Sequence, residues 1–256
     1  MTVTDVNVVK SAIFERPDDA NKGTLGSLLC VCGSYGMAGA AVMSAKGALR
    51  TGIGLAKCAL PRSIYPIVAQ TILESVYYPL SENADGRISK VNVPFLVSES
   101  CKSSATLVGC GLGVCDDTLK IVFSLIENST TPLVLDADAL NCVAKQPEIL
   151  LRKKAPIIIT PHPGEMSRLT GLATPLVNAE RERVALDFAQ KYGVVTVLKG
   201  AGTVIASPNG KVLVNPTGNS GMATGGSGDV LAGMTASILA QGASAFSSAA
   251  AAVYFH

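Results

Sequence analysis

A glycine-rich segment near the C-terminal end of the sequence has the composition of a phosphate-binding loop. It runs from Asn215 to Asp229, contains five glycines, and is followed directly by a helical pattern. Glycine lets the main chain approach a ligand closely, and the free N–H groups at a helix N-terminus attract anions. We therefore predict a phosphate cradle formed by Gly225, Gly226, Ser227 and Gly228. Asp229, at the start of the helix, would either face the reaction partner of a bound phosphate or cap the helix.

Further polar groups follow other short apolar runs that we interpret as strands. Asp136 and Asp138 come after Leu135 and have the same parity on an extended segment, so they could hold Mg²⁺ through water, bind a ribose hydroxyl, or form a solvated turn. His162 lies between two prolines, which place its ring on a rigid loop; a lone histidine is more often structural, but this position at the carboxyl end of a strand raises the odds of ligand contact.

The segment Lys199-Gly200-Ala201-Gly202-Thr203 lies between two predicted strands. It could wrap a nucleotide or be a simple glycine-rich turn. Other phosphate and nucleophile motifs do not match: Gly228 is followed by Asp229 instead of the lysine of a P-loop, and Val114 interrupts a dinucleotide fingerprint. No Gly-x-Ser-x-Gly nucleophile elbow occurs in the sequence.

These groups depend on strands and helices that alternate along the chain. The alternation predicts an α/β fold with a mainly parallel sheet covered by helices on both faces, in one domain. The Asn209-Gly210 turn predicts an antiparallel pair at one edge. The predicted strands are Thr24–Cys32, Gly54–Leu60, Ser75–Tyr78, Ala105–Val108, Pro132–Leu135, Pro156–Thr160, Val194–Leu198, Thr203–Ala206 and Lys211–Val214. The predicted helices are Gly39–Thr51, Asp116–Glu127, Asn178–Tyr192, Gly228–Ala240 and Ala243–Phe255.

The composition limits the classes of protein and partner. The chain has 256 residues, of which 48% are hydrophobic and 16% charged, with a net charge of +2 and no basic run. A nucleic-acid partner is therefore not indicated.

The seven cysteines include no Cys-x-x-Cys pair and are expected to be buried, reduced thiols. After Asp229 no charged side chain occurs, but serines and glycines interrupt the segment, so we expect two helices packed inside the protein instead of a membrane span. The N-terminal segment lacks a signal-peptide pattern, which predicts a cytoplasmic protein.

Taken in order, the motifs resemble those of the ADP/ATP-dependent NAD(P)H-hydrate dehydratases of the ribokinase-like superfamily. The resemblance runs from about Lys22 to His256. The matching segments are Lys22 to Thr24, Gly33 to Ala41, Gly109 to Gly113, Asp136 to Asn141, Thr160 to Glu165, Lys199 to Thr203, and Asn215 to Gly233. It implies a ribokinase-like three-layer sandwich over residues 1–256, with ADP or ATP as phosphoryl donor, Mg²⁺ as cofactor and the S epimer of NADHX or NADPHX as substrate.

The resemblance also assigns roles to individual residues. Asp229 would be the catalytic base, while Gly225 to Gly228 would stabilise the transferring phosphoryl group. Lys199, Gly200, Ala201, Gly202, Thr203 and Gly228 would contact the nucleotide. Ala40, Gly111, His162 and Asp229 would contact the hydrated cofactor. Family members commonly form homotetramers and act with an NAD(P)H-hydrate epimerase. We therefore expect a homotetramer here, with a functional link to that epimerase.

Three departures and two alternatives accompany the resemblance. Cys110, Ser220 and Ser227 stand where the family usually has proline, proline and threonine. Because family members continue for about another helix after His256, a C-terminal truncation is expected. The alternative activity is a ribokinase-like kinase of a small alcohol such as hydroxymethylpyrimidine, hydroxyethylthiazole or a sugar, which would release a phosphate ester and not free phosphate. A non-catalytic nucleotide-binding protein is the alternative from another class.

Overall fold

Nine strands form a single central sheet in the computed structural model, which describes residues 3–4, 6–13 and 16–256. The spatial order is β3-β2-β1-β4-β5-β6-β7-β8-β9. All nine strands predicted from the sequence are present, with ends shifted by a few residues. They are β1 (Ser27–Val31), β2 (Leu55–Pro61), β3 (Val76–Leu80), β4 (Ala105–Val108), β5 (Leu133–Leu135), β6 (Ile157–Ile159), β7 (Val195–Leu198), β8 (Val204–Ala206) and β9 (Val212–Val214).

The sheet is parallel from β3 to β7 and antiparallel at its β8–β9 edge. The predicted turn at Asn209-Gly210 joins these last two strands, and Gly210 has the positive φ of 88° that such a turn favours. The strand order reverses between β1 and β4. In parallel α/β sheets, ligands bind beyond the carboxyl ends of the strands at such a reversal, which directs attention to the loops after β1 and β4.

Helices cover both faces of the sheet and form two separate cores. Alternation along β1 shows the division, because Leu28 and Cys30 belong to one core while Leu29 and Val31 belong to the other. The first core contains α1 (Val6–Lys10), α2 (Ala38–Arg50), α3 (Tyr65–Thr71), α10 (Ser227–Ala240) and α11 (Ala245–Phe255). The second contains α4 (Val93–Cys101), α5 (Asp116–Asn128), α6 (Asp138–Val143), α7 (Pro163–Thr170), α8 (Thr174–Ala179) and α9 (Arg181–Tyr192). The three-layer sandwich with a mainly parallel sheet, expected from the sequence, is confirmed.

The helical predictions are wrong in two respects. A single helix was predicted over Asn178–Tyr192, but Glu180, with φ −125° and ψ 41°, separates α8 from α9. No glycine or proline marks this break in the sequence. The short helices α1, α3, α4, α6, α7 and α8 were not predicted, because five to nine residues are too few to establish a 3.6-residue period.

Two helices from distant parts of the sequence make main-chain contact. A Cβ atom on Gly47 of α2 would lie 2.8 Å from the Val230 carbonyl oxygen of α10. A Cβ atom on Gly233 of α10 would overlap the carbonyl oxygen of Ser44 in α2. Only glycine permits this approach. The contact fixes the start of α10, which carries Asp229, against the helix whose first turn carries Ala40.

The uncharged segment after Asp229 forms α10 and α11, as predicted. Ala249, Ala250, Ala251 and Ala252 of α11 are fully buried against the first core. Over the described part of the chain, every helix is too short or too polar to cross a membrane.

Candidate active site

A buried ion pair lies at the carboxyl ends of the central strands. Lys199, which follows β7, places its Nζ 2.7 Å from Oδ1 of Asp136, which follows β5. Thr160 Oγ1 donates to the same oxygen at 2.7 Å, and Asp136 is only 1% exposed. Burial alone would lower the pKa of Lys199, but the Asp136 and Glu165 carboxylates outweigh it and raise that pKa. The site therefore holds a charged ammonium group that is available to a phosphate.

Asp229 lies beside this pair, in the first turn of α10. One oxygen of Asp229, one oxygen of Asp136 and the Cys110 sulfur all lie within 4.8 Å of one another. Burial, followed by the negative charge of Asp136, raises the pKa of Asp229 to about 6. A carboxylate with a pKa near the working pH is suited to accept a proton. The capping interpretation is wrong, because the N-cap of α10 is Gly226 and not Asp229.

The predicted cradle forms the start of α10. Gly226 has a φ of 90°, and a Cβ atom there would overlap the sulfur of Met43. Glycine is therefore required at this position. A Cβ atom on Gly228 would lie 3.4 Å from Lys199 Nζ. Gly228, within a run of exposed or partly exposed residues from Gly225 to Asp229, thus lies beside the Lys199 ammonium group, and a helix N-terminus and an ammonium group both attract anions.

The segment Lys199–Thr203 is anchored at both ends. The Lys199 N–H group donates to Pro161 O at 2.8 Å, and the Thr203 carbonyl oxygen accepts from the Asn215 N–H group at 2.9 Å. Arg181, at the start of α9, donates from Nη2 to Leu198 O at 2.8 Å. A cavity of about 440 Å³ lies between this segment and the start of α9. The predicted nucleotide-binding segment is therefore a braced turn beside an open space.

Two residues predicted to contact the substrate, Ala40 and Gly111, are neighbours. A Cβ atom on Gly111 would lie 2.8 Å from the Cβ atom of Ala40. Gly111 has a φ of 62°, and Ser34 Oγ donates to its carbonyl oxygen at 2.8 Å. The loops after β1 and β4 are thus joined at the strand-order reversal.

His162 is the N-cap residue of α7. Its Nδ1 accepts hydrogen bonds from the Gly164 and Glu165 N–H groups at 3.0 and 3.3 Å, so the neutral ring carries its proton on Nε2. Burial, followed by the positive charges of Lys199 and Arg168, lowers the pKa of His162. Half of the side chain is exposed. The ring therefore caps a helix and still presents an edge to a ligand.

Asp136 and Asp138 do not lie on an extended segment, so that part of the prediction is wrong; after burial, however, the charges of both carboxylates contribute to raising the pKa of Asp229. Ala137 between them has a φ of 49°, and α6 begins at Asp138. Asp138 Oδ2 accepts a hydrogen bond from the Gly113 N–H group at 2.8 Å. Asp138 thus supports the glycine loop after β4, whereas Asp136 joins the charged centre.

Sequence analysis missed several residues of this centre. Glu165 is 5% exposed, lies 3.9 Å from Lys199 Nζ, and has a pKa raised to about 6, chiefly by burial. The spacing His162-x-x-Glu165, typical of a capping box, was the available signal. His256 lies with its Nε2 3.3 Å from Ser227 Oγ, and nothing in the sequence indicates this contact.

The raised pKa of Asp229 predicts the acid limit of activity. Only the ionised carboxylate accepts a proton, so we expect kcat/KM to fall as the pH drops through about 6. Initial rates between pH 5 and 9 measure this limit. Because Glu165 also has a pKa of about 6, Glu165→Gln is the control and should retain the acid limit. A limit near pH 4 would contradict an Asp229 base with a raised pKa.

The fold and the charged centre define the class. A crystal structure from Enterococcus faecalis described as a ribokinase-like superfamily protein superposes on this chain with a TM-score of 0.85 and 24% identity, covering 100% of this chain and 85% of that one, so the fold is of the ribokinase-like class. A family model described as NAD(P)H-hydrate dehydratase matches residues 28–256. The chain belongs to the NAD(P)H-hydrate dehydratase family.

Individual relatives agree with this assignment. The ADP-dependent (S)-NAD(P)H-hydrate dehydratase of Neisseria meningitidis is 35% identical, over 94% of this chain and 78% of that protein. The crystal structure of the ADP/ATP-dependent dehydratase of Bacillus subtilis superposes with a TM-score of 0.84 and 31% identity, covering 100% of this chain and 87% of that one.

Longer relatives carry additional sequence. The bifunctional NAD(P)H-hydrate repair enzyme of Moorella thermoacetica is 38% identical over 96% of this chain but only 47% of its own length. The chain therefore spans about half the length of the bifunctional relatives that it matches.

Proposed function

We propose that the protein uses ADP or ATP to dehydrate the S epimer of NADHX or NADPHX, regenerating NADH or NADPH and releasing phosphate. One observation carries the proposal: Asp229, with a pKa raised to about 6, lies at the helix start that forms the cradle and beside the buried Lys199–Asp136 pair. A base, an anion cradle and a cation thus meet where a hydroxyl group could receive a phosphoryl group.

The proposed chemistry has two stages. Asp229 accepts the proton of the ring hydroxyl while the hydroxyl oxygen attacks the terminal phosphorus of the nucleotide. The nucleotide, shortened by one phosphate, is the leaving group. The phosphorylated oxygen is a good leaving group, so the lone pair of the ring nitrogen expels it as phosphate. Loss of a proton from the adjacent ring carbon then restores the dihydronicotinamide. The N–H groups at the cradle and Lys199 stabilise negative charge on the transferring group.

The proposed contacts follow the arrangement of the loops. Lys199 to Thr203 and Gly228 bind the nucleotide, since the braced turn and the start of α10 meet at Lys199 Nζ. Ala40 and Gly111, which are in contact with each other, bind the hydrated cofactor together with His162. The half-exposed ring edge of His162 supports this role.

The carboxylates of this site fit Mg²⁺. Asp136 Oδ1 is engaged by Lys199 and Thr160, whereas Oδ2 accepts only from the Cys110 thiol among the described residues. Mg²⁺ is typically bound by one or two carboxylates together with water and substrate phosphates, so Asp136 would hold it through water, and Asp229 would stay free to accept a proton. Its chemical contribution would be to offset the negative charge of the nucleotide phosphates. Cys110, whose pKa is raised by its neighbour Cys32 and by burial, is a neutral thiol and not a Mg²⁺ ligand.

The remaining expectations belong to the same proposal. We propose a cytoplasmic homotetramer that acts with an NAD(P)H-hydrate epimerase. The two-activity names of the bifunctional relatives support the epimerase partner.

The test combines the purified protein with NADHX, Mg²⁺ and either ADP or ATP. We expect recovery of the reduced nicotinamide absorbance together with one free phosphate per turnover, and dependence on one nucleotide identifies the donor. Samples lacking nucleotide are the control. Formation of a stable phosphate ester on a small alcohol, with no recovery of NADH, would instead support the kinase alternative.

A further inference from the structure

The last turn of α11 holds both ends of the glycine-rich segment. At the start of the segment, Asn215 Nδ2 donates to Val253 O at 3.2 Å, and Thr217 Oγ1 donates to Tyr254 O at 3.0 Å. At the end of the segment, Ser227 Oγ lies 3.3 Å from Nε2 of His256. Three residues at one helix end therefore hold a segment that is otherwise largely exposed.

The contact with Ser227 lies where orientation matters for anion binding. Ser227 is the first residue of α10, and the first main-chain hydrogen bond of this helix runs from the Val230 N–H group to Gly226 O at 3.1 Å. The N–H groups of Gly228 and Asp229 precede that bond, so they have no partner within the helix. Their direction depends on how the first turn is held, and Gly226 supplies no side chain to hold it.

His256 is itself well anchored. Its N–H group donates to Ala252 O at 3.0 Å, and its side chain is partly buried. Burial and the positive charge of Lys199 lower the pKa of His256, so the ring is neutral at neutral pH and can either donate to or accept from the Ser227 hydroxyl.

We propose that His256 is a positioning residue: by hydrogen-bonding Ser227 it orients the first turn of α10, so that the free N–H groups of that turn receive the terminal phosphoryl group of the nucleotide. The inference rests on the proposed function for the identity of the anion. It adds the second histidine of the chain to the site, through Ser227 and without contact with the hydrated cofactor.

The test is a double-mutant cycle read out by nucleotide binding. His256→Phe, which keeps an aromatic ring but removes both ring nitrogens, should weaken Mg²⁺–nucleotide binding about fivefold, because it removes one hydrogen bond. Ser227→Ala should weaken it by a similar factor. If His256 acts through Ser227, the double variant should be no weaker than either single variant. His256→Gln, which retains a donor and an acceptor, should recover at least half of the lost affinity.

Calorimetry with the parent and the four variants measures these affinities without requiring turnover. The inference would be overturned if the double variant lost affinity by the product of the two single losses, or if His256→Phe bound the nucleotide with parental affinity. Equal loss of affinity in His256→Gln and His256→Phe would also overturn it, since only the ring volume would then matter. The proposed function fails separately, in the parent protein, if nucleotide binds but no NADH is recovered.

The kinetic pattern provides a second readout. Loss of a positioning contact for the phosphoryl group should raise KM for the nucleotide and leave KM for NADHX within twofold of the parent value. A general loss of folding would instead lower the active fraction and leave both KM values unchanged. That kinetic result in Ser227→Ala, a small change at a partly exposed position, would contradict the proposal even if His256→Phe folded poorly.

Discussion

Asp229→Asn should reduce the rate of dehydration by about 10²- to 10⁴-fold, because it removes the general base. The nucleotide should bind with nearly parental affinity, since the cradle N–H groups and the Lys199–Asp136 pair remain in place. Phosphate release under saturating substrates measures the rate, and calorimetry measures the affinity. Asp187→Asn makes the same chemical change at an exposed position of α9 and should leave the rate unchanged.

Stability separates loss of the base from loss of the fold. The pKa of Asp229 is raised to about 6, so the folded state binds this proton more tightly than the unfolded chain does. The resulting contribution to the free energy of unfolding is lost as the pH rises through 6. Asp229→Asn should therefore be more resistant to unfolding than the parent at pH 7.5, and the advantage should disappear below about pH 4. A variant that keeps near-parental turnover would contradict the catalytic assignment.

Gly233→Ala should be the most destabilising single-methyl change on the face between α2 and α10. The added Cβ atom would overlap the carbonyl oxygen of Ser44 and lie 3.1 Å from the Ala48 nitrogen, both of which are main-chain atoms. Relief requires the two helices to separate, so we expect a loss of about 2–3 kcal/mol in the free energy of unfolding. Thermal and denaturant unfolding measure the loss.

The matched control is another helical glycine. Gly39, near the start of α2, has no atom within 4 Å of an added Cβ and no positive φ. Gly39→Ala should therefore leave stability unchanged or raise it slightly, because alanine favours the helix. Equal losses in the two variants would show that the α2–α10 contact tolerates a methyl group and would contradict the close-packing argument.

The sheet was predictable because each strand can be recognised from its own residues. Apolar runs such as Ala105–Val108 are short, buried on both sides and bounded by turn residues, which identifies them without knowledge of their neighbours. The convergence of Asp136, Lys199 and the cradle was predictable for a related reason, since each follows a strand or precedes a helix at the same end of a parallel sheet.

Other site residues could not be predicted, because their roles arise from packing between elements distant in sequence. Arg181 supports the nucleotide segment only because α8 ends at Ala179 and a separate helix begins beside β7. His256 reaches Ser227 only because α11 packs against α10. The extended conformation expected between Asp136 and Asp138 was wrong, because Ala137 has a positive φ that alanine rarely adopts.

The glycine contacts between α2 and α10 have a consequence for motion. Ala40 and Met43 belong to α2, while the cradle and Asp229 belong to the start of α10. Helices in main-chain contact do not slide past one another without losing that contact, so these parts move as one rigid body. The distances between Asp229, the proposed phosphate cradle at the start of α10, and Ala40 are therefore set before any ligand binds.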